Sequence, residues 1–298
     1  MIKISAKSFK KIGTHDGRFH ADEMMATAIL QQIFQVEIIR TRNPDVLDKL
    51  DIVYDVGGGK FDHHGVEKEL RDDKIPYAAS GLIWREFGER VVELFDSSLS
   101  KEDIKEVYQH VDKILIKGID ALDNGLRPEQ NDYFSTMSIT TILSGFNPPW
   151  YIKGKEEERF NQGVLFSKQI LNNVILQKVG VIKARGPVKE AYDKRKNPEI
   201  LILDVNCPWQ EAILELDKKE EVKITIFPDL NKYALQTVKG KDRKDRIKLP
   251  KEWGGKEEAE LAQLTNVEDA VFCHSGLFFA AAKSLNGTVA LAKAALES

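Results

Sequence analysis

Four of the six histidines in this 298-residue chain lie in two short segments near its start. The segments are THDGRFHADE (14–23) and FDHH (61–64). The first segment offers His15, His20 and Asp22 as candidate metal ligands, and the second offers Asp62, His63 and His64. A metal site needs several imidazole and carboxylate groups that converge from separate parts of the chain. The two segments, together with Asp55 in the intervening sequence, therefore indicate a metal centre, whereas one segment alone would fit solvated loop histidines.

The elements around these segments place the candidate ligands at one edge of a sheet. Apolar spacing predicts a strand at 9–14 and a helix at 21–35. The further predicted elements are strands at 36–42 and 50–58 and helices at 79–87 and 100–117. This order favours a parallel α/β sheet, in which ligands bind beyond the carboxyl ends of the strands. Both His15 and Asp55 fall at that edge.

The second half of the chain predicts a different unit. After the proline-rich segment 145–151, a long helix is predicted at 156–178. The elements predicted beyond it are strands at 200–205, 222–227, 233–238 and 270–274 and a helix at 288–297. We therefore expect an α/β protein with its active site in a cleft between two domains. The expected parts are a metal-binding catalytic domain (1–145), a helical linker (146–185) and a smaller α/β substrate-binding domain (186–298).

Composition and charge exclude several classes of protein. The net charge of −3 gives no overall basic field, so any contact with nucleic acid must use a local basic patch. There is no apolar run of about 18 residues, so we expect no membrane span. The N-terminal residues lack the apolar region of a secretion signal, and Cys207 and Cys273 form no CxxC pair. We expect a cytoplasmic protein, with a homodimer as one option for its assembly.

The sequence Asp62-His63-His64, after a glycine-rich strand end, resembles the third motif of the DHH phosphoesterase superfamily. That superfamily includes exonucleases, oligoribonucleases and manganese pyrophosphatases. Its first motif is usually His, a short gap and Asp-x-Asp, whereas this chain has His15, a gap one residue longer, and then His20-Ala21-Asp22. This variant is similar to that of the Myg (melanocyte proliferating gene) family, which is described as a family of exonucleases. The other matching segments are GIDALDNG (118–125), LSGFNPPW (143–150), ILDVNCPWQE (202–211), LPKEWGG (249–255) and FCHSGLFFAAAKSLNGTVALA (272–292).

The resemblance implies a role for each candidate residue. The implied metal ligands are His15 and His20 for one ion, Asp22, His63 and Asp123 for the other, and Asp55 as a bridge between them. Asp120 lies one helical turn from Asp123 and competes with it for that position. His64 would face the substrate phosphate, so His64 and Asp55 are the expected catalytic residues.

The expected cofactors are two divalent metal ions. Two ions about 3.5–4 Å apart can share an activated hydroxide and clamp both oxygens of a displacement at phosphorus. Mixed imidazole and carboxylate ligands favour Mn²⁺, with Mg²⁺ as the alternative. Asp16 is either an acceptor for an imidazole N–H or a turn residue before Gly17.

Substrate contacts are expected from the second domain. His274 would bind a substrate phosphate, and Lys283 is a cation close to it in sequence that serves as a further candidate. The basic segment 239–256 could follow a phosphate backbone with Trp253 as a stacking ring. A charged hairpin turn is the commoner explanation of such a segment.

Three functions are compatible with these residues. The first is a metal-dependent phosphodiesterase that acts as an exonuclease on RNA or short oligonucleotides. The second is a small-molecule phosphohydrolase, such as a pyrophosphatase or a cyclic-dinucleotide esterase, because the same metal site would serve both. The third is a non-catalytic nucleotide-binding module, which the complete set of metal-type residues argues against.

Overall fold

The computed structural model describes residues 8–127 and 138–298. The chain divides into two compact units, Met1–Val179 and Gly180–Ser298. Each unit has its own sheet, and the protein is a mixed α/β protein, as predicted. The functional domains proposed at 1–145 and 186–298 stay a prediction.

The first unit contains the parallel sheet that carries the candidate site. Its strands are β1 (Phe9–Thr14), β2 (Gln35–Arg40) and β3 (Ile52–Val53), in the order β2-β1-β3. All are parallel, with Ile12 paired to both Ile38 and Ile52. The parallel arrangement is confirmed, but the strand predicted over 50–58 is shorter. It ends early because Tyr54 makes only an isolated bridge to Phe61 and Asp55 adopts a left-handed backbone conformation, with φ 59°.

Helices cover this sheet and hold its carboxyl edge. They are α1 (Ala21–Ile33), α2 (Pro44–Leu47), α3 (Ala79–Glu93), α4 (Lys101–Val111), α5 (Lys117–Asp123) and α6 (Ile139–Ser144). Helix α1 packs on α3, and its Met24, Ile29 and Leu30 side chains are fully buried. The helix predicted at 100–117 is in fact α4 followed by a π-helical turn, which leads into α5.

A single long helix, α7 (Glu156–Lys194), extends well past the predicted end at 178 and contains Pro187. The second unit follows with strands β4 (Ile200–Ile202), β5 (Ile224–Asp229), β6 (Lys232–Thr237), β7 (Ala270–Cys273) and β8 (Phe279–Ala282). Their order is β4-β5-β6-β8-β7, with β4 and β5 parallel and the other pairs antiparallel. Its helices are α8 (Gln210–Leu216), α9 (Glu258–Thr265) and α10 (Leu285–Glu297).

The structure also bears on the prediction of no membrane span. Within residues 8–127 and 138–298, every helix is too short or too polar to cross a bilayer.

Candidate metal centre

His15 follows β1 directly and is 4% exposed. Its Nδ1 lies 2.9 Å from the backbone carbonyl oxygen of Asp16, which can only accept, so Nδ1 carries the proton. The Nε2 atom is thereby turned towards two carboxylates, Glu23 Oε1 at 3.2 Å and Asp55 Oδ2 at 3.3 Å. A histidine whose other ring nitrogen is held by a carbonyl is oriented as metal-ligating histidines are.

The acceptor for the His15 N–H is therefore the backbone oxygen of Asp16. The interpretation in which the Asp16 side chain accepts this hydrogen bond is wrong. The Asp16 carboxylate lies near the Arg42 side chain, with Oδ1 3.4 Å from Nε. Gly17 has φ +80°, which fits the turn interpretation.

Asp55 lies between two histidines. Its Oδ2 faces His15, and its Oδ1 lies 3.0 Å from His63 Nε2. The Asp55 residue is 3% exposed. Burial alone would raise the pKa of Asp55, but the hydrogen bonds from His15 and His63 outweigh it and lower that pKa to about 2. A carboxylate whose two oxygens face different ligand groups has the geometry that a bridge between two ions requires.

The glycine-rich loop after β3 is closed by Asp62. Its Oδ2 accepts the Gly58 N–H at 2.7 Å, and its Oδ1 lies 2.8 Å from His64 Nδ1. Gly58 has φ +71°, a conformation that side chains other than glycine adopt at a cost. The His64 side chain stays 63% exposed, in keeping with the expected contact with substrate.

Asp22 is fully buried in the first turn of α1. Its two oxygens accept the N–H groups of Ala79 at 2.9 Å and Ser80 at 2.7 Å, and so fix the start of α3. One ligand atom from each of Asp22, His63 and Asp123 lies within 4.8 Å of the others. Asp123, at the end of α5, brings its Oδ2 to 3.2 Å from His63 Nε2.

Asp120 points elsewhere. It is fully buried, and its Oδ2 lies 2.7 Å from an Arg71 nitrogen. Its Oδ1 accepts from Ser80 Oγ at 2.9 Å and from the Gly81 N–H at 3.0 Å. Of the two aspartates that the sequence left open, the structure therefore brings Asp123 to the histidines and pairs Asp120 with Arg71.

Glu23 is a candidate ligand that the sequence analysis missed. It is fully buried, and a ligand atom on it lies within 4.8 Å of atoms on His15 and His20. The sequence showed it only as an acidic residue in the first turn of a helix, where carboxylates are common. Its position three residues after His20, within one helical turn, is the sequence signal that could have identified it. In the structure its Oε1 faces His15 Nε2.

The candidate ligands form three groups, of which the last two share His63: His15, His20 and Glu23; Asp55, His63 and His64; and Asp22, His63 and Asp123. In the part of the chain that the structure describes, no Lys or Arg forms an ion pair with the carboxylates of Asp22, Glu23, Asp55 or Asp123. Burial raises the pKa of Asp22 well above its usual range, and the charges on nearby aspartates raise it further. A buried acidic cluster that faces imidazoles and has no Lys or Arg partner among the described residues fits divalent metal ions.

A pocket of about 350 Å³ opens onto this centre. Its lining includes His15, His20, Asp55, His64, Leu122 and Asp123, together with Arg42 and Arg127. A second pocket of about 380 Å³ shares His20, Leu122, Asp123 and Arg127 with the first. The two pockets therefore adjoin along the metal centre.

The predicted contacts from the second unit lie around the β7–β8 hairpin. His274 is exposed at its turn, where its Nδ1 accepts the Gly276 N–H at 2.9 Å and its ring packs near Phe278. Lys283 is exposed directly after β8. The roles of His274 and Lys283 in substrate binding stay predictions.

The basic segment 239–256 contains a turn at its start and a short 3-10 helix, Lys251–Trp253, near its end. The backbones of Lys239 and Asp245 form an isolated antiparallel bridge that closes this turn. The stacking role considered for Trp253 is wrong, because this side chain is 3% exposed and packs in the core of the second unit with Leu249. A buried indole has no face free for a base.

The fold and these residues define an α/β protein with a candidate metal centre at the carboxyl edge of a parallel sheet. The chain belongs to the MYG1 exonuclease family: the family model, described as "Uncharacterised protein family (UPF0160)", matches residues 11–296. The chain is 27% identical to a MYG1 protein of Schizosaccharomyces pombe over 96% of its own length and 97% of that protein. It is 28% identical to a MYG1 protein of Saccharomyces cerevisiae (99% and 98%) and 26% identical to the MYG1 exonuclease of Homo sapiens (96% and 85%). The family expected from the sequence is confirmed.

Proposed function

We propose that this protein is a metal-dependent phosphodiesterase that removes nucleotides from the end of RNA or short oligonucleotides. The observation that carries the proposal is the position of Asp55, between His15 and His63, within a buried group of carboxylates that lacks a Lys or Arg partner among the described residues. The human relative is named an exonuclease, which supports the reaction class. The proposal places the catalytic unit in the DHH phosphoesterase superfamily.

The chain would hold two divalent ions on either side of Asp55. His15 and His20 would bind one, His63, Asp22 and Asp123 would bind the other, and Asp55 would contact both. When bound, two such ions supply Lewis acidity towards a phosphoryl group and lower the pKa of water. The mixed nitrogen and oxygen donors favour Mn²⁺.

The groups around the pocket suit an anionic substrate. The Arg127 guanidinium donates to the backbone oxygens of Leu122 and Leu126, and among the described residues no carboxylate pairs with it. Arg42, which follows β2, lines the same pocket. The exposed His64 side chain can donate to a phosphate oxygen. These three side chains would hold the phosphate chain while Asp55 and the other ligands hold the metals.

The adjoining pocket supports a substrate larger than one phosphate. It is lined by the hydroxyl-bearing residues Ser138, Thr140, Thr141 and Ser144 and by the apolar side chains of Ile119 and Leu122. Hydroxyl groups can bind a sugar, and an apolar floor can pack against a base. His274 and Lys283 of the second unit would contact further phosphates.

A hydrolysis assay on four substrates tests this function. Metal-stripped protein is given Mn²⁺ or Mg²⁺ and either a 5′-labelled oligoribonucleotide, a 3′-labelled one, pyrophosphate or a cyclic dinucleotide. We expect stepwise loss of nucleotides from one end of the oligonucleotide, more activity with Mn²⁺, and none in EDTA. Turnover confined to pyrophosphate or the cyclic dinucleotide would instead favour the small-molecule phosphohydrolase, and full activity in EDTA would contradict the metal mechanism.

A further inference from the structure

We propose that Glu23 is a metal ligand and completes the site formed by His15 and His20. This inference rests on the proposed function, and it concerns a residue to which the motif resemblance assigns no role. The first motif of DHH phosphoesterases usually offers two aspartates, but this chain has His20 in the first of those places. Glu23, in the first turn of α1 and three residues after His20, would supply a carboxylate in its place.

The two carboxylate oxygens of Glu23 have different surroundings. Oε1 accepts the backbone N–H of His20 at 2.8 Å and lies 3.2 Å from His15 Nε2. Oε2 is buried and has no hydrogen-bond partner among the described residues. Leaving a buried carboxylate oxygen without a partner is costly. A cation at the point where His15, His20 and Glu23 converge would satisfy it.

A helix cap alone does not account for this arrangement. Helix α4 has the same type of cap, in which Asp103 Oδ2 accepts the N–H and O–H of Ser100 at 3.2 and 2.7 Å. Asp103 is only half-buried and belongs to none of the ligand groups in the described residues. The cap explains why Oε1 of Glu23 faces His20. It explains neither the full burial of Glu23 nor the lack of a partner for its buried Oε2.

Charge balance between the two ions supports the same assignment. Without Glu23, the first ion would have two neutral imidazoles and a share of Asp55. The second ion would have His63 with Asp22, Asp123 and the other share of Asp55. Adding Glu23 gives each ion at least one carboxylate of its own, which suits divalent cations of equal charge.

The test is Mn²⁺ binding rather than activity. Metal-stripped wild type, Glu23→Gln and Asp103→Asn are titrated with MnCl₂ by calorimetry, and free Mn²⁺ is followed by electron paramagnetic resonance. Glutamine keeps the size of Glu23 and can still accept the His20 N–H. We expect two ions on the wild type and on Asp103→Asn. On Glu23→Gln we expect one ion at wild-type affinity and the other weakened about 100-fold or more, since even groups behind the ligands cost 10–100-fold when removed.

Two ions bound to Glu23→Gln at wild-type affinity would overturn the inference and leave the proposed function standing. No Mn²⁺ bound to the wild type would instead overturn the proposed function, and the inference with it. If Glu23→Gln does not fold, as judged by circular dichroism in EDTA, Glu23→Asp serves in its place. That variant keeps the charge but shortens the reach, and we expect one weakened ion; wild-type affinity for both ions would again overturn the inference.

Discussion

Buried carboxylates occur in both units of the chain, but their partners differ between the two. In the second unit, Asp217 is 1% exposed and pairs with the buried Arg246, while it also accepts the Val222 N–H at 2.9 Å. Burial alone would raise the pKa of Asp217, but this N–H and Arg246 outweigh it and lower that pKa. In the first unit, burial raises the pKa of Asp22 and of Glu23, and among the described residues no Lys or Arg pairs with either. The structural carboxylate thus pairs with an arginine, whereas the carboxylates of the candidate metal centre face histidines, which can bind metal ions.

The largest effect is expected at Asp55. Asp55→Asn should lower kcat/KM on an oligonucleotide by about 10²–10³-fold or more, at least as much as removing one group that stabilises a transition state. The physical reason is that Asp55 would contact both ions, so its loss affects both. Steady-state kinetics at saturating Mn²⁺ checks this, with Asp51→Asn, an exposed aspartate just before β3, as the control. A loss below about tenfold would show that Asp55 is not the bridge.

The opposite pattern is expected at Asp217. Asp217→Asn leaves the buried Arg246 side chain with only the more distant Glu220 carboxylate, at 3.9 Å, and should lower the free energy of unfolding by about 3 kcal/mol. Urea unfolding in EDTA measures this, and the folded protein should bind Mn²⁺ like the wild type. If Asp55→Asn destabilises the metal-free protein as much as Asp217→Asn does, Asp55 is a structural residue like Asp217, and the difference between the two regions does not hold.

The same residues show how far the sequence alone could lead. The spacing of His15, Asp55 and the DHH segment placed them correctly beside a parallel sheet, because strand ends can be predicted from local patterns. The sequence could not choose between Asp120 and Asp123, since they lie one turn apart and the choice depends on Arg71 and the start of α3. Strand β8, rich in alanine, was missed because alanine favours helices and only its pairing with β6 and β7 makes it a strand.

A pH effect separates the regions further. The pKa of Asp217 is lowered in the folded protein, so its stabilisation is present above the unfolded value of about 3.9 and is lost as pH falls below it. The pKa values of Asp22 and Glu23 are raised, so folding of the metal-free protein is favoured below those values and less so as pH rises through them. Mn²⁺ needs the ionised forms. The imidazole ligands must also lose a proton to bind Mn²⁺, so the increase in Tm caused by Mn²⁺ should grow as pH rises. An increase that does not change with pH would argue against ionisable ligands.

The smallest effect is expected from the arginines at the pocket. Arg127→Gln should raise KM for an oligonucleotide by about tenfold and leave kcat nearly unchanged. The reason is that the variant loses one charge-assisted hydrogen bond to a substrate phosphate. Mn²⁺ binding should not change, because Arg127 is a pocket residue and not a ligand. An unchanged KM would show that Arg127 does not bind the substrate.

The central claim is that two metal ions occupy the first unit on either side of Asp55. Crystals grown with MnCl₂, measured at the manganese absorption edge, test it most directly. We predict two anomalous peaks about 3.5–4 Å apart, one beside His15 and His20 and one beside His63 and Asp123. The absence of peaks at these residues, in crystals where the protein is folded and Mn²⁺ is in excess, would contradict the claim.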